Sequence, residues 1–475
     1  MPTLAIDQGT SATKALVVAE DGQVLGSGSA ALTVVAGADG SVEVDPIELW
    51  DSVIAAGRTA LAAAGSPRLD AVGLANQGET VLAWDRATGA PRSRAVVWQD
   101  GRSVTECDAR RDHAERLHAI TGLQLDPYFV APKLAWLRPR VGADATITTT
   151  DVWLLHRLCG AFATDVSTAS RSLLLDLDTT GWSAEACAVF GLSPDDLPTV
   201  VDNAGVLGET TVFGPVGVPV AGVCVDQQAA LFAEGCLRGG EAKCTYGTGA
   251  FLLATTDRAT RSAHGLVGCV AWRLAGVPTW CLDAQVFTVG AAVHWLQELG
   301  LIAEPSDLDR LGGTVVDSGG VQFVPALAGL GAPFWKPDAR AAFTGLSLAT
   351  ERAHVVRAVI DGVAANVAWL ARTAGADLGA PLQRLRVDGG LTRSRLLLQR
   401  QADLAQVPIE VYPSPDATAL GVAAFARLGI GQAATATDAV GVWEPSVIVE
   451  PSIDAAEADQ RLAAWRRAAD ATAAL

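Results

Sequence analysis

A two-lobed α/β architecture is predicted for this chain by its length, by alternating strand-like and helix-like segments, and by a strand–turn–strand passage that occurs twice. The 475 residues suffice for about three average domains or two large lobes. Half are hydrophobic and 18% are charged, which fills extended cores and leaves too little polarity for a disordered chain. The first passage runs from a strand at residues 4–6 through Asp7-Gln8-Gly9-Thr10-Ser11 into a strand at 14–19. The second runs from a strand at 242–246 through Gly247-Thr248-Gly249 into a strand at 251–255. Matched Gly-Thr turns nearly half a chain apart imply two related lobes facing one another across a cleft. The division is expected at residues 235–240, giving lobes of residues 1–237 and 238–475.

The remaining elements follow in order. Asp21-Gly22 is a hairpin turn into another strand from Val24, and Asp45-Pro46 opens a helix with apolar positions at Leu49, Val53 and Leu61. Strands are predicted at 71–75 and 81–84, and a helix at 229–234. In the second lobe helices are predicted near 287–299, 351–373 and 393–405, with strands at 385–387 and 409–412. A small-residue helix begins near Ala417, and the Ala- and Arg-rich tail from about Asp454 reads as one more.

Composition excludes several function classes. Against 52 Asp and Glu stand 35 Lys and Arg, a formal charge of −17, and no segment carries a basic stripe, so nucleic acid or an anionic membrane surface is not an expected partner. The eight cysteines include no C-x-x-C pair and the six histidines no ligand cluster, so a metal-thiolate site is not expected. The amino terminus runs straight into Leu4-Ala5-Ile6-Asp7 with no secretory pattern, and the cysteines then read as reduced, mostly buried thiols of a cytoplasmic protein. The most apolar stretch, residues 355–370, is interrupted by Arg357, Asp361 and Asn366 and is not expected to span a membrane.

Five segments could carry chemistry, and four of them have a plainer alternative. Backbone N–H groups and the Thr10 and Ser11 hydroxyls could cradle a phosphate, or the turn could be an ordinary hairpin. Gly247-Thr248-Gly249 strengthens the first reading, because a nucleotide's phosphates need donors from both walls of a cleft, and Lys14 could reach the same phosphates. Asp226, where an apolar strand meets a helix, is either a helix cap or a general base on rigid backbone. Asp388-Gly389-Gly390 is either a connecting loop or a close approach to a ring or sugar. Asp416-Ala417-Thr418-Ala419-Leu420-Gly421 is either a capped helix start or a nucleotide wall.

Taken together these segments resemble the FGGY carbohydrate kinases, within the actin-like, ribonuclease H-like ATPases, and specifically their glycerol kinase branch. The resemblance is carried by Asp7-Gln8-Gly9-Thr10, Asn76-Gln77-Gly78-Glu79-Thr80, Val97-Trp98-Gln99-Asp100, Asp126-Pro127-Tyr128-Phe129, Lys133-Leu134-Ala135-Trp136-Leu137, Ala169-Ser170-Arg171 and Asp226-Gln227-Gln228. In the second lobe it continues through Tyr246-Gly247-Thr248-Gly249, Phe323-Val324-Pro325-Ala326 and Asp388-Gly389-Gly390, and the stretch from Phe343 through His354 to Asp361 is similar to the family's second signature. It spans some 420 residues.

The resemblance implies two actin-like lobes with an ATP cleft between them. It implies Asp226 as the catalytic base and Asp7, with Asp226, as partner of Mg²⁺ and nucleotide. Thr10, Ser11, Lys14 and Thr248 fall where the family holds ATP phosphates, and Gly290, His294, Gly390 and Ser394 along its nucleotide wall. Glu79, Tyr128, Asp226 and Gln227 fall on acceptor-contacting positions, with Trp98 as an apolar wall. His294 and Ser394 stand where the branch usually has Gln and Asn, and both can still hydrogen-bond. Gly78 stands where it usually has an Arg that donates to an acceptor hydroxyl.

The resulting expectation is an ATP- and Mg²⁺-dependent kinase of a primary hydroxyl on glycerol or a related small polyol. If the missing Arg at position 78 leaves room for further hydroxymethylene units, the acceptor is a longer polyol or a ketose; if another side chain or water fills that space, glycerol remains the acceptor. A catalytically silent sugar sensor and a protein-directed ATPase are the alternatives from other classes. A homodimer is compatible with the family.

Overall fold

The computed structural model describes residues 2–475. Each half is built on a sheet of the same plan. In the first, the spatial order is Ala204–Thr210, Val218–Val225, Ala71–Asn76, Thr3–Gln8, Ala12–Val18, Val24–Ala31. In the second it is Val267–Leu274, Val277–Val286, Ala250–Thr256, Ala242–Tyr246, Leu385–Gly389, Ile409–Val411, Val447–Val449. The hairpin strand Thr3–Gln8 is antiparallel to Ala12–Val18 and parallel to Ala71–Asn76, and Ala242–Tyr246 bears the same relations to Ala250–Thr256 and Leu385–Gly389. The shared pattern of the two turns thus reflects a shared sheet topology.

Position follows from this topology. Strands Thr3–Gln8, Ala71–Asn76 and Val218–Val225 run parallel with Gln8 and Val225 each in register with Asn76. Their carboxyl ends therefore deliver Gly9-Thr10, Gln77-Gly78-Glu79 and Asp226-Gln227 to one edge of the sheet, where α/β folds bind ligands. These strands are near-continuous apolar runs, every residue of Ala71–Asn76 being buried, as expected where both faces are covered. The opening helix Pro46–Ala63 begins at the predicted place, with Asp45 accepting from the Ile47 N–H at 2.8 Å.

Two features were not legible. A five-stranded sheet of Val35–Ala36, Val42–Val44, Ala95–Val96, Val81–Trp84 and Thr146–Thr149 is inserted in the first half, of which only residues 81–84 were predicted. Its other strands run two to four residues, too few to express a period. Helices Ala114–Thr121, Val130–Leu137, Thr150–Cys159 and Val166–Ser170 accompany it. In addition, helix Ala417–Gly429, from the second half of the chain, packs on the first sheet and on helix Asp226–Ala233. Phe232 stacks on Phe425 at 4.2 Å and meets Trp272 edge-on at 5.1 Å, an aromatic joint between the halves.

Helix Arg352–Leu378, although apolar and 27 residues long, is mostly buried inside the second half. Its Arg357 bonds Asp361 at 3.1 Å, and Arg400 donates to the same carboxylate at 2.8 Å. All eight cysteines are free thiols, seven of them buried.

The crossing helix lies close because Gly421 has no side chain: a Cβ there would sit 1.9 Å from the Ala229 carbonyl oxygen. Gly421→Ala must push Ala417–Gly429 away from the helix that begins with Asp226. It should cost about 1–3 kcal/mol, read as a lower urea midpoint with an unchanged slope.

Candidate active site

Two cavities meet at the second glycine turn. The larger, about 790 Å³, is lined by Gly247, Thr248, Gly290, His294, Asp309, Gly390, Leu391, Arg393 and Ser394. The smaller, about 200 Å³, is lined by Thr10, Ser11, Gly78, Glu79, Trp98, Tyr128, Arg171, Val225, Asp226, Gln227, Asp283, Gly247 and Thr248. Gly247 and Thr248 belong to both, so a group held at this turn in the large cavity borders the small one. Every acceptor-side residue expected from the sequence lines the small cavity, and Thr248, Gly290, His294, Gly390 and Ser394 line the large one.

The second turn is built to be close-packed. Val289 N–H donates to the Thr248 carbonyl at 2.9 Å and Gly290 N–H to that of Gly247 at 3.1 Å. A Cβ on Gly290 would lie 2.5 Å from the Gly247 oxygen, so glycine is required where helix Gly290–Glu298 starts against the turn. Across the large cavity, the Ser394 hydroxyl donates to Asp309, which also accepts from the Arg395 N–H at 2.7 Å. Asp309 has no signal in the sequence, since only folding brings residues 309 and 394 together.

The first turn faces inward more than expected. Thr10 donates its hydroxyl to Gln77 Oε1 at 3.1 Å and accepts from Trp98 Nε1 at 2.9 Å, tying turn and pocket wall together. Its hydroxyl proton is therefore already committed, while Ser11 is exposed. Lys14 is half exposed and pairs with Asp416 at 3.2 Å across the two halves. Asp7 and Lys14 are in register on neighbouring strands. Loss of solvent pushes Asp7 up to about 6, against the pull of Lys14.

Asp226 is the first residue of helix Asp226–Ala233, and its Oδ1 accepts from the Gln227 N–H at 2.7 Å. Burial, then the charges of Asp7 and Glu79, push it up to about 7. Lys243, fully buried, donates to Gln227 Oε1 at 2.6 Å and Thr245 Oγ1 at 2.7 Å. This fixes the Gln227 amide with its NH₂ group as the free donor. Trp98 meets Tyr128 edge-on at 5.6 Å and Phe251 at 6.2 Å, forming an aromatic wall. The loop bearing Tyr128 is braced by buried Lys133, whose Nζ donates to the carbonyls of Pro127 at 2.8 Å, Phe129 at 3.2 Å and Tyr128.

Gly78 is closely surrounded. A Cβ there would lie 2.6 Å from Val225 Cγ2 and 3.5 Å from Arg171 Cγ, so the direction a side chain would take is already filled. Of the two outcomes left open at position 78, these close neighbours favour a filled site over extra room. Val225, Arg171, Asp283 and Phe251 complete the small cavity and were not singled out as site residues from the sequence. For Arg171 a signal existed: it is an isolated cation in a run of small and apolar residues, and a buried Arg requires carboxylate partners.

Similarity to known proteins agrees with this geometry. The N-terminal domain of the FGGY family of carbohydrate kinases matches residues 3–233, and its C-terminal domain residues 242–429. The chain belongs to this family. A glycerol kinase of Alkalilimnicola ehrlichii is 42% identical over 98% of this chain and 97% of its own length, and one of Thermus brockianus is 42% identical with the same coverage. The crystal structure of Plasmodium falciparum glycerol kinase with ADP superposes with a TM-score of 0.91 at 30% identity, covering 99% of this chain and 98% of that one. A xylulose kinase from Rhodospirillum rubrum superposes at 0.86 with 25% identity, covering 100% and 99%. This FGGY kinase is thus an α/β protein of two actin-like lobes and an ATP-dependent phosphotransferase acting on an alcohol group.

Because Asp7 holds Asp226 protonated to higher pH, Asp7→Asn should move the Asp226 titration downward from about 7. Carboxyl carbon NMR across pH 4–9 on the two proteins would read the displacement directly.

Proposed function

We propose that this protein transfers the γ-phosphoryl group of ATP to a primary hydroxyl of glycerol or a triol of similar size. The observation that carries this reading is the junction of the two cavities at Gly247-Thr248, with Asp226 on the acceptor side. The large cavity takes the nucleotide, with Gly290, His294, Gly390 and Ser394 along the base and ribose and the turns at Thr10 and Thr248 near the phosphates. The small cavity takes the acceptor, with Glu79 accepting from, and the Gln227 amide donating to, its hydroxyls beside Tyr128 and Trp98.

Asp226 Oδ2 has no protein partner among the described residues and takes the proton of the reacting hydroxyl. The acceptor's hydroxyl oxygen attacks the γ-phosphorus, the bond to the bridging oxygen breaks and ADP leaves, so positioning and charge stabilisation dominate. Asp7 and Asp226 are carboxylate donors close enough for one to raise the other's pKa, a set that fits Mg²⁺ carried by phosphate oxygens. The ion would offset phosphate charge. Supporting glycerol over a longer acceptor are the closed side at Gly78 and the small cavity volume.

The test is ADP release with MgATP across glycerol, erythritol, the pentitols, hexitols and ketoses, with the highest kcat/KM expected for glycerol; a pentitol or ketose in first place would overturn the acceptor assignment. Asp226→Asn should lower kcat by roughly 10²- to 10⁴-fold without unfolding the protein. As a base Asp226 works only ionised, so log kcat/KM should rise by about one per pH unit below about 7 and level off above it. A profile flat from pH 5 to 8 contradicts the assignment.

A further inference from the structure

The small cavity contains one cation that the proposed reaction has not used. Arg171 caps the short helix Val166–Ser170, which Asp165 starts by accepting from the N–H groups of Ser167 at 2.8 Å and Thr168 at 3.0 Å. Its side chain is 3% exposed. Nε donates to Glu79 Oε1 at 2.6 Å and Nη1 to Asp283 Oδ2 at 2.6 Å, so one guanidinium joins a carboxylate of the first lobe to one of the second. Burial opposes its charge, but Asp283 and Glu79 hold it protonated. The planar fork is thereby fixed on two sides.

Two valences in this cluster remain open. Arg171 Nη2 makes no hydrogen bond to the protein among the described residues, nor does Glu79 Oε2. Neither atom is among the sealed polar atoms left without a partner, whereas Asp283 Oδ1 is, so Nη2 and Oε2 retain access to the cavity that Arg171 and Glu79 line. A fixed donor beside a fixed acceptor is the pair that a single hydroxyl satisfies, giving its proton to the carboxylate and accepting from the guanidinium. Gly78 supplies no side chain here, and its space is taken by Val225 and the Arg171 stem.

We propose that Arg171 is a specificity-determining residue that binds a non-reacting hydroxyl of the acceptor through Nη2, jointly with Glu79. This rests on the polyol kinase reading. It follows that an acceptor lacking that hydroxyl leaves a desolvated donor and acceptor unpaired and is discriminated against, as such sites do.

The experiment compares glycerol with propane-1,2-diol and propane-1,3-diol, each lacking one hydroxyl, for wild type, Arg171→Gln and Arg171→Lys. Both kcat/KM and acceptor Kd by calorimetry are measured. Loss of one charge-assisted hydrogen bond should cost glycerol roughly tenfold or more, while the diol that already lacks the contacted hydroxyl loses less than about twofold and KM for ATP is unchanged. Arg171→Lys keeps a charge between Glu79 and Asp283, so it reads the same ratio if Arg171→Gln fails to fold. Equal losses on all three acceptors, or none, overturn the proposal and make Arg171 a brace between lobes. A wild type active on glycerol with such uniform losses leaves the kinase reading standing. A wild type that phosphorylates no polyol overturns that reading, and this one with it.

Discussion

The burial of negative charge around one cleft is the constraint on which the rest of the site depends. Asp7, Glu79, Asp226, Asp283 and Asp388 all have pKa values raised by loss of solvent. Carboxylates so placed are costly unless cations or hydrogen bonds meet them. The chain has only four lysines, and three serve this region: Lys14 against Asp416, Lys133 under the Tyr128 loop, and Lys243 on Gln227 and Thr245. Arg171 supplies the remaining compensation, and it does so from one lobe to the other. The same arrangement that makes the site expensive gives Asp226 a pKa near neutrality, where a base is both available and able to accept a proton.

The scaffold can hold such a site because two similar sheets converge with the carboxyl ends of their parallel strands. The register that pairs Gln8 and Val225 with Asn76 fixes the relative positions of the Gly9-Thr10 turn, the Glu79 loop and Asp226 by backbone hydrogen bonds alone. Trp98, Tyr128 and Arg171, from segments inserted between these strands, then close the small cavity. Glycines at 421 and 290 let backbone approach backbone where a methyl group would intrude, which keeps the crossing helix and the second turn close to the chemistry.

Much of this was legible in the residues. The duplicated Gly-Thr turns predicted two lobes, and apolar periods located the main strands and helices to within a few residues. Motif resemblance also singled out Asp226, Glu79, Tyr128 and Gln227, which line one cavity, and His294, Gly390 and Ser394, which line the other. At Gly78 the residues left two outcomes open, room for a longer acceptor or a neighbour filling the gap. A sequence shows which atoms are removed at a position but not which neighbours move into it, and here Val225 Cγ2 does.

By itself, then, the sequence determined the family, the sheet-building segments and the identity of most groups that line the two cavities, because those depend on local pattern and on motifs contiguous in the chain. Tertiary structure alone decided that Asp309 meets Ser394, that Lys243 orients Gln227, and that Arg171 lies between Glu79 and Asp283, residues 92 and 112 positions from it. Those pairings have no period and no fixed spacing. They arise from where two sheets and a crossing helix come to rest, which is a property of packing and not of any one segment.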